Sequence, residues 1–421
     1  MNKPTQCPIS QRNPEVKVES GAPSAEELKA KFGRDIFRDF DYDDPRFNQQ
    51  FVETLESHLT HCPVARSNVG TGYWWVSRNE DVRRIGQDWK TFSNAKGYQP
   101  NRPEGLPLLL PEESDPPMHT AWRNAINPHL SPMAVAGYEA NVRADVNELI
   151  DRFIDKGECE FINDFGAILP GWAFFKNILG VPVDDLSLLV DGVEQGTFGP
   201  VDDRAGHFAK VFSYLGSYLE RRSKEVPRGD MVDTILKGVT YEDGSSAPWE
   251  HKVSILVDLT FGGIATTTYV MASAIHHLAT HPGDRAALVG NPSMMLNAIE
   301  EFARVFPPIV GLGRTCTRDV EVAGTAMKEG DFVMLAYSAS SRDPRVVENP
   351  SKVDITRDSV PHSTFGVGPH RCVGSNLARL ELRATLEEWL KRIPDFGLKP
   401  GSVPTYETAF LRSMRKLELV F

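Results

Sequence analysis

The sequence predicts a mainly α protein with a small β-sheet region, and three observations carry that prediction. Residues 249–281 contain no proline, and Ile255, Leu259, Ile264, Val270, Ile275 and Leu278 recur there at helical spacing. Further helical patterns fill residues 135–225, notably 142–154, 186–196 and 208–224. Strand-like runs are few and short, at residues 73–77, 320–322 and 332–335.

A length of 421 residues alone suggests about three domains, yet no Ser/Gly tract, Pro-rich linker or charge block divides the chain. Residues 31–421 therefore read as one domain, preceded by a polar, loose arm over 1–30. Hydrophobic residues make up 41% and charged ones 24%, enough apolar content for a sizeable core. The net charge of −11 argues against nucleic acid as a partner. Cys7, Cys62, Cys159, Cys316 and Cys372 show no CxxC spacing, and their odd number predicts no disulfide framework and a reducing compartment. Residues 1–21 lack the apolar core of a signal or anchor, and no run approaches the roughly 18 apolar residues of a spanning helix. The expectation is a cytoplasmic protein that meets no membrane.

In chain order, Phe47, Phe51, Leu55 and Leu59 mark a helix over 45–59, and a short helix capped by Asn79, Glu80 and Asp81 follows the first strand. Residues 97–114 are irregular and rich in proline and leucine (Leu106, Leu108, Leu109, Leu110). They line a pocket or simply cover the core. Asp115 is placed as N-cap of a helix whose first turn holds proline. On it His119 and Arg123, four apart, share a face. The middle of the 249–281 helix carries Gly262, Gly263, Thr266, Thr267 and Thr268, weak helix formers where a core helix should be strongest. A threonine hydroxyl bonding back to a carbonyl can bend the ladder there and open a groove. Asn291-Pro292 starts another helix, which bears Glu301 and Arg304.

The most informative stretch is Phe365-Gly366-Val367-Gly368-Pro369-His370-Arg371-Cys372-Val373-Gly374. Its glycines and proline fix a tight loop before a helix over 376–391. Peptide N–H groups at that helix start favour a thiolate at Cys372. Phe365 shields whatever the sulfur holds, and His370 and Arg371 offer donors to anionic groups. One thiolate with an aromatic shield suits haem iron better than zinc, which takes about four ligands.

This loop resembles the haem-binding loop of the cytochrome P450 family, and Phe365, Gly368, His370, Cys372 and Gly374 match its fixed positions. The resemblance spans roughly residues 70–421. It implies the P450 fold, with haem b between the long central helix and the helix after the cysteine loop, and Cys372 as axial ligand. Asp115-Pro116-Pro117-Met118-His119 through Arg123 is similar to the family's propionate-binding helix. Arg314 and His362 match further residues near the propionates. Gly262 to Thr267 resembles the oxygen-binding helix, with Thr266 on its threonine and Thr267 beside it. Ala265 stands where the family usually has an acid that relays protons, so the usual route is in doubt. Glu301, Arg304 and Arg357 match a network that braces the cysteine loop. For the substrate pocket the expectations are Tyr98, Leu106, Leu109, Phe198, Ile264, Ile309, Val310 and Leu411, with Arg412 or Tyr98 adding one polar contact.

The implied activity is monooxygenation: one oxygen atom from O2 enters a small apolar or aromatic substrate, by hydroxylation or oxidative demethylation. Without a flavin or iron–sulfur signature, electrons come from a ferredoxin and its ferredoxin reductase. Arg123, Arg371, Arg379 and Arg383 are candidates for a cationic docking face. A peroxygenase or isomerase that needs no redox partner, a non-catalytic haem sensor or carrier, and a non-haem cysteine hydrolase using Cys372 with His370 are the alternatives.

Overall fold

The computed structural model describes residues 25–33, 35–100, 102, 107–358 and 361–421. Helices dominate it, in agreement with the sequence patterns. The longest apolar helical run crosses the core as two pieces, Trp249–Gly263 and Ala265–Thr280, separated at Ile264 (φ −104°, ψ −75°). The break falls where glycines and threonines weaken the pattern. Thr266 Oγ1 donates to the Gly262 carbonyl at 3.0 Å, and Thr268 Oγ1 donates to the Ile264 and Gly166 carbonyls. By length and composition this run alone among the described residues passes as a membrane span. It is mostly buried among other helices, which is the position of a core helix.

The helix Ser375–Arg392 follows the cysteine loop and packs against Pro132–Asp151 and Ala265–Thr280. Its Trp389 anchors the core, with the rings of Phe153, Phe161, Phe165 and Phe396 between 5.2 and 5.9 Å away. A five-stranded sheet runs in the order Val64–Ser67, Tyr73–Val76, Phe332–Leu335, Leu312–Cys316, Phe92–Ser93, with one parallel pairing between Tyr73–Val76 and Phe332–Leu335. The strands at 320–322 and 332–335 stand where the sequence puts them.

Local details differ from expectation for physical reasons. The helix over 45–59 is two, Pro45–Gln49 and Phe51–His61, hinged at Gln50, with Phe47, Phe51, Leu55 and Leu59 buried on one side. Asp115 does not cap its helix, which begins at Met118. Its carboxylate instead accepts from the Ser93 hydroxyl and, at 2.9 Å, from the Asn94 N–H, tying helix to sheet. Asn291 precedes a single 3₁₀ turn, Pro292–Met294, before the helix Met295–Val305. Cys62 is disulfide-bonded, whereas Cys159, Cys316 and Cys372 are free.

Candidate active site

The cysteine loop owes its shape to glycine. Gly366 and Gly368 take φ of +66° and +74°. A Cβ on Gly368 would lie 2.1 Å from the Gly86 carbonyl oxygen, so the loop seats backbone to backbone on the helix Asn79–Gln87. The Cys372 N–H closes the loop on the Phe365 carbonyl at 2.8 Å. Phe365 carries the Arg379 guanidinium 4.3 Å above its ring. Burial pushes the Cys372 thiol up, while the Gly374 N–H and Arg123 pull the other way. The helix-start effect expected from sequence is therefore present but smaller than desolvation.

Beside the sulfur lies a set of cationic and imidazole side chains, several of whose buried nitrogens lack partners. The rings of His119 and His370 sit 4.2 Å apart, and all four of their nitrogens lack hydrogen bonds. Arg314, 1% exposed, spends Nη1 on the Gly313 carbonyl at 2.7 Å and leaves Nη2 unsatisfied. Arg123 lines the cavity, with Nε held by Asn127 at 3.0 Å. Desolvation, then His370 and Arg123, lower His119 to about 3. Orphaned buried donors are costly. These call for an anionic group, and Glu112 occupies part of that role. Its carboxylate lies 3.6 Å from His370 Nδ1, and although burial opposes it, His370, Arg314 and His119 hold it down at about 2. Glu112 thus stands in for a ligand carboxylate, and the donor set fits haem propionates next to a thiolate.

The cavity above Cys372 runs along the broken helix. Thr266, Thr267, Gly262 and Gly263 line it, as do Phe365, His370 and Gly374 of the loop. Among the expected pocket residues, Tyr98, Ile309 and Leu411 line it too. Val310 does not: it faces the opposite side and packs with Trp75 and Met334, since neighbours along extended chain point opposite ways. Leu109 is buried in the main core, and Ile264 is buried at the helix break. Phe198 lies half-buried under the Arg415 guanidinium. Leu106 is outside the described residues. Ala265 is beside the cavity wall rather than on it. Arg412 is occupied over the Phe51 and Tyr406 rings and with Thr408.

His362 turns to Glu300, 3.2 Å away, and not to the orphaned donors. The expected docking face is also depleted. Arg379 pairs with Glu300, Arg383 with Glu139, and Arg123 faces the cavity, so Arg371 alone of the four stays exposed and outside an ion pair.

Glu301 and Arg304 form a buried bidentate pair at 2.7 and 2.8 Å, and Arg357 Nε reaches Glu301 at 3.3 Å. Arg304 also donates to the carbonyls of Pro350, Ser341 and Lys352. From the same region, Thr364 bonds the Ala303 carbonyl and Ser341 Oγ accepts from the Ser363 N–H. The network therefore grips the chain just ahead of the cysteine loop.

Sequence reasoning missed the cavity's acids and part of its aromatic wall. Phe174 and the stacked pair Phe208 and Phe261, ring centroids 4.1 Å apart, line it. Asp258 and Glu381 line it as well. The one sequence signal for Asp258 is its place in the i, i+4, i+8 row Asp258, Gly262, Thr266. Glu381, 1% exposed and with Oε2 unpartnered, is pushed up to about 8 by desolvation. A carboxyl raised in the folded state stabilises fully below its unfolded value and loses that contribution as pH rises toward 8. Glu381→Gln should therefore be the more stable protein at pH 8, with the gap closing by about pH 5. Thermal unfolding midpoints of both proteins across that range check this, and a gap independent of pH would refute it.

A family model described as cytochrome P450 matches residues 292–409. The chain is 30% identical over 337 residues to the probable cytochrome P450 127A1 of Sinorhizobium fredii (strain NBRC 101917 / NGR234), covering 80% of each protein. It is also 30% identical over 371 residues to cytochrome P450-terp of Pseudomonas sp., covering 80% of this chain and 85% of that one. The crystal structure of cytochrome P450 CYP101C1 superposes with a TM-score of 0.80 at 27% identity, over 90% of this chain and 95% of the other.

Proposed function

The chain belongs to the cytochrome P450 family, a haem b monooxygenase with a cysteine thiolate ligand, and from this we propose that it oxidises a small apolar or aromatic molecule. The reaction is hydroxylation or oxidative demethylation with O2, in the cytoplasm, with electrons from a ferredoxin and its reductase. Residues 31–421 act as one catalytic domain in this reading. Its main support is the cavity, where aromatic and aliphatic walls converge on Cys372 between the orphaned nitrogen atoms and the broken helix. A relative named cytochrome P450-terp and another named vitamin D(3) 25-hydroxylase, from Pseudonocardia autotrophica, are consistent with an apolar substrate.

Bound haem supplies the oxidising chemistry, because thiolate ligation feeds electron density to iron and favours O–O cleavage. The chain's own residues supply the rest. Cys372 would hold the iron through its thiolate. His119, Arg123, Arg314 and His370 would hold the propionates with charge-assisted hydrogen bonds. Phe365 shields the sulfur, and Tyr98, Phe174, Phe261, Ile309 and Leu411 exclude water and orient the substrate. At the helix break, Thr266 and Thr267 bring hydroxyls to the cavity wall, where they would hold and pass protons.

Ala265 can carry no proton, so delivery rests on those hydroxyls and on water. General acid–base assistance is typically worth about 10²–10⁴ in rate. The protein is therefore expected to turn over slowly with a ferredoxin system, losing much reducing power as hydrogen peroxide. Ala265→Asp should raise product formed per electron consumed, while peroxide-driven turnover responds differently. Efficient coupling in the parent with no gain from aspartate would sink this prediction. Turnover with peroxide but with no ferredoxin system would replace the monooxygenase reading by the peroxygenase one.

A further inference from the structure

The proton-bearing groups of the cavity wall are not all accounted for by haem binding. Asp258 lies on Trp249–Gly263, two turns or about 12 Å of helix before Thr266, and it lines the same cavity. Tyr98, 9% exposed, lines it too and forms part of Asp258's electrostatic surroundings. Neither the Tyr98 hydroxyl nor the Asp258 carboxyl makes a hydrogen bond or ion pair among the described residues. Apart from Glu112 and Arg123, the wall near them is largely apolar: Leu259, Phe261, Phe174, Leu312 and Phe410. Two unpartnered polar groups on such a wall are the form a ligand-orienting contact takes.

We propose that Asp258 and Tyr98 are the polar anchor of the substrate cavity, selecting an apolar molecule that carries one neutral oxygen function, a hydroxyl or a carbonyl. This deepens the monooxygenase reading and rests on it. Charge decides between a neutral and a cationic partner. Burial, then Glu112 and Glu113, push the Asp258 carboxyl well above the usual range, with Arg123 opposing. A neutral carboxyl and a phenol each offer one O–H donor and an acceptor. A ligand cation would first have to ionise Asp258 beside two further carboxylates. A site built on buried donors rejects an analogue that leaves them unpaired. The separation from Thr266 also sets the pose, with the oxygen function held at Asp258 and the far end of the molecule turned to Cys372.

The test titrates the haem-loaded protein with three probes of one skeleton and reads the ferric haem absorbance shift. The probes are 4-tert-butylcyclohexanone, its exocyclic methylene analogue, and the 4-tert-butyl-1,1-dimethylpiperidinium cation. The parent should bind the ketone about tenfold more tightly than the methylene analogue, and the cation most weakly. Asp258→Asn, which keeps a neutral donor and acceptor, should preserve the ratio. Asp258→Leu and Tyr98→Phe should each shrink it, with binding of the methylene analogue kept or strengthened, and the double variant should bring it near one. A parent ratio near one, no binding of either neutral probe, a ratio unmoved in Asp258→Leu and Asp258→Ala, or preference for the cation overturns the proposal. The carbon monoxide spectrum of the same preparations separates the two readings. Its thiolate-type band with a flat ratio removes the anchor alone, and absence of the band in the folded parent removes both.

Discussion

Cys372→Ala should fold and lose the red-shifted carbon monoxide band of thiolate-ligated haem completely. The sulfur is the one soft ligand on the cavity, and a loop closed by the Cys372 N–H on the Phe365 carbonyl presents it. Among the described residues no group of His, Cys, Asp and Glu could otherwise hold a metal ion. His119 and His370 remain in the variant, so residual haem is expected to be loosely held and to lack the thiolate signature. Activity with O2 should fall to background, because the electron donation that favours O–O cleavage comes from that sulfur. Cys159→Ala and Cys316→Ala should keep the band, since both thiols are buried away from the cavity. A band of histidine-ligated type in the folded parent would refute the assignment, as would an unchanged band in Cys372→Ala.

Glu301→Gln is expected to lower stability by about 3–5 kcal/mol, the usual cost of stranding one member of a buried ion pair. Arg304 is fully buried and Glu301 nearly so, and solvent cannot replace the lost charge. The damage should reach the haem as well. Glu301 Oε1 also accepts from the Asp354 N–H at 3.0 Å, and Arg304 holds three carbonyls between 341 and 352, so the segment leading to the cysteine loop loosens. Arg357→Ala should cost far less, because its side chain is partly exposed and its 3.3 Å contact is the longest that the Glu301 carboxylate makes. Chemical unfolding of the two variants, with haem content measured alongside, checks the order. Equal losses would mean the network acts as a solvated surface cluster.

Much of this molecule was readable from local chemistry. The cysteine loop is specified by its own residues, because Gly366, Gly368 and Pro369 restrict the backbone wherever the loop sits. The helix break at Ile264 was foreshadowed by consecutive glycines and threonines, whose hydroxyls compete for carbonyls within one turn. The pairing of Glu301 with Arg304 likewise follows from helical spacing.

Other features depend on parts of the chain that sequence distance keeps apart, and only tertiary structure decided them. Gly86 and Gly368 meet backbone to backbone, a contact that neither residue announces alone. His362 carries the right residue type for a propionate, and the fold sets its Nε2 3.2 Å from Glu300 Oε2. Ile309 and Val310 are equally apolar, and the direction of one extended segment sends the first to the cavity and the second to the core. Asp258 and Tyr98 are 160 positions apart in sequence. Residue type and local spacing determined the cysteine loop and the helices, and the resemblance of that loop to the cytochrome P450 family implied the reaction class. Which side chains face the cavity was settled by how those elements pack, because burial and charge act through space on groups that the chain connects only distantly.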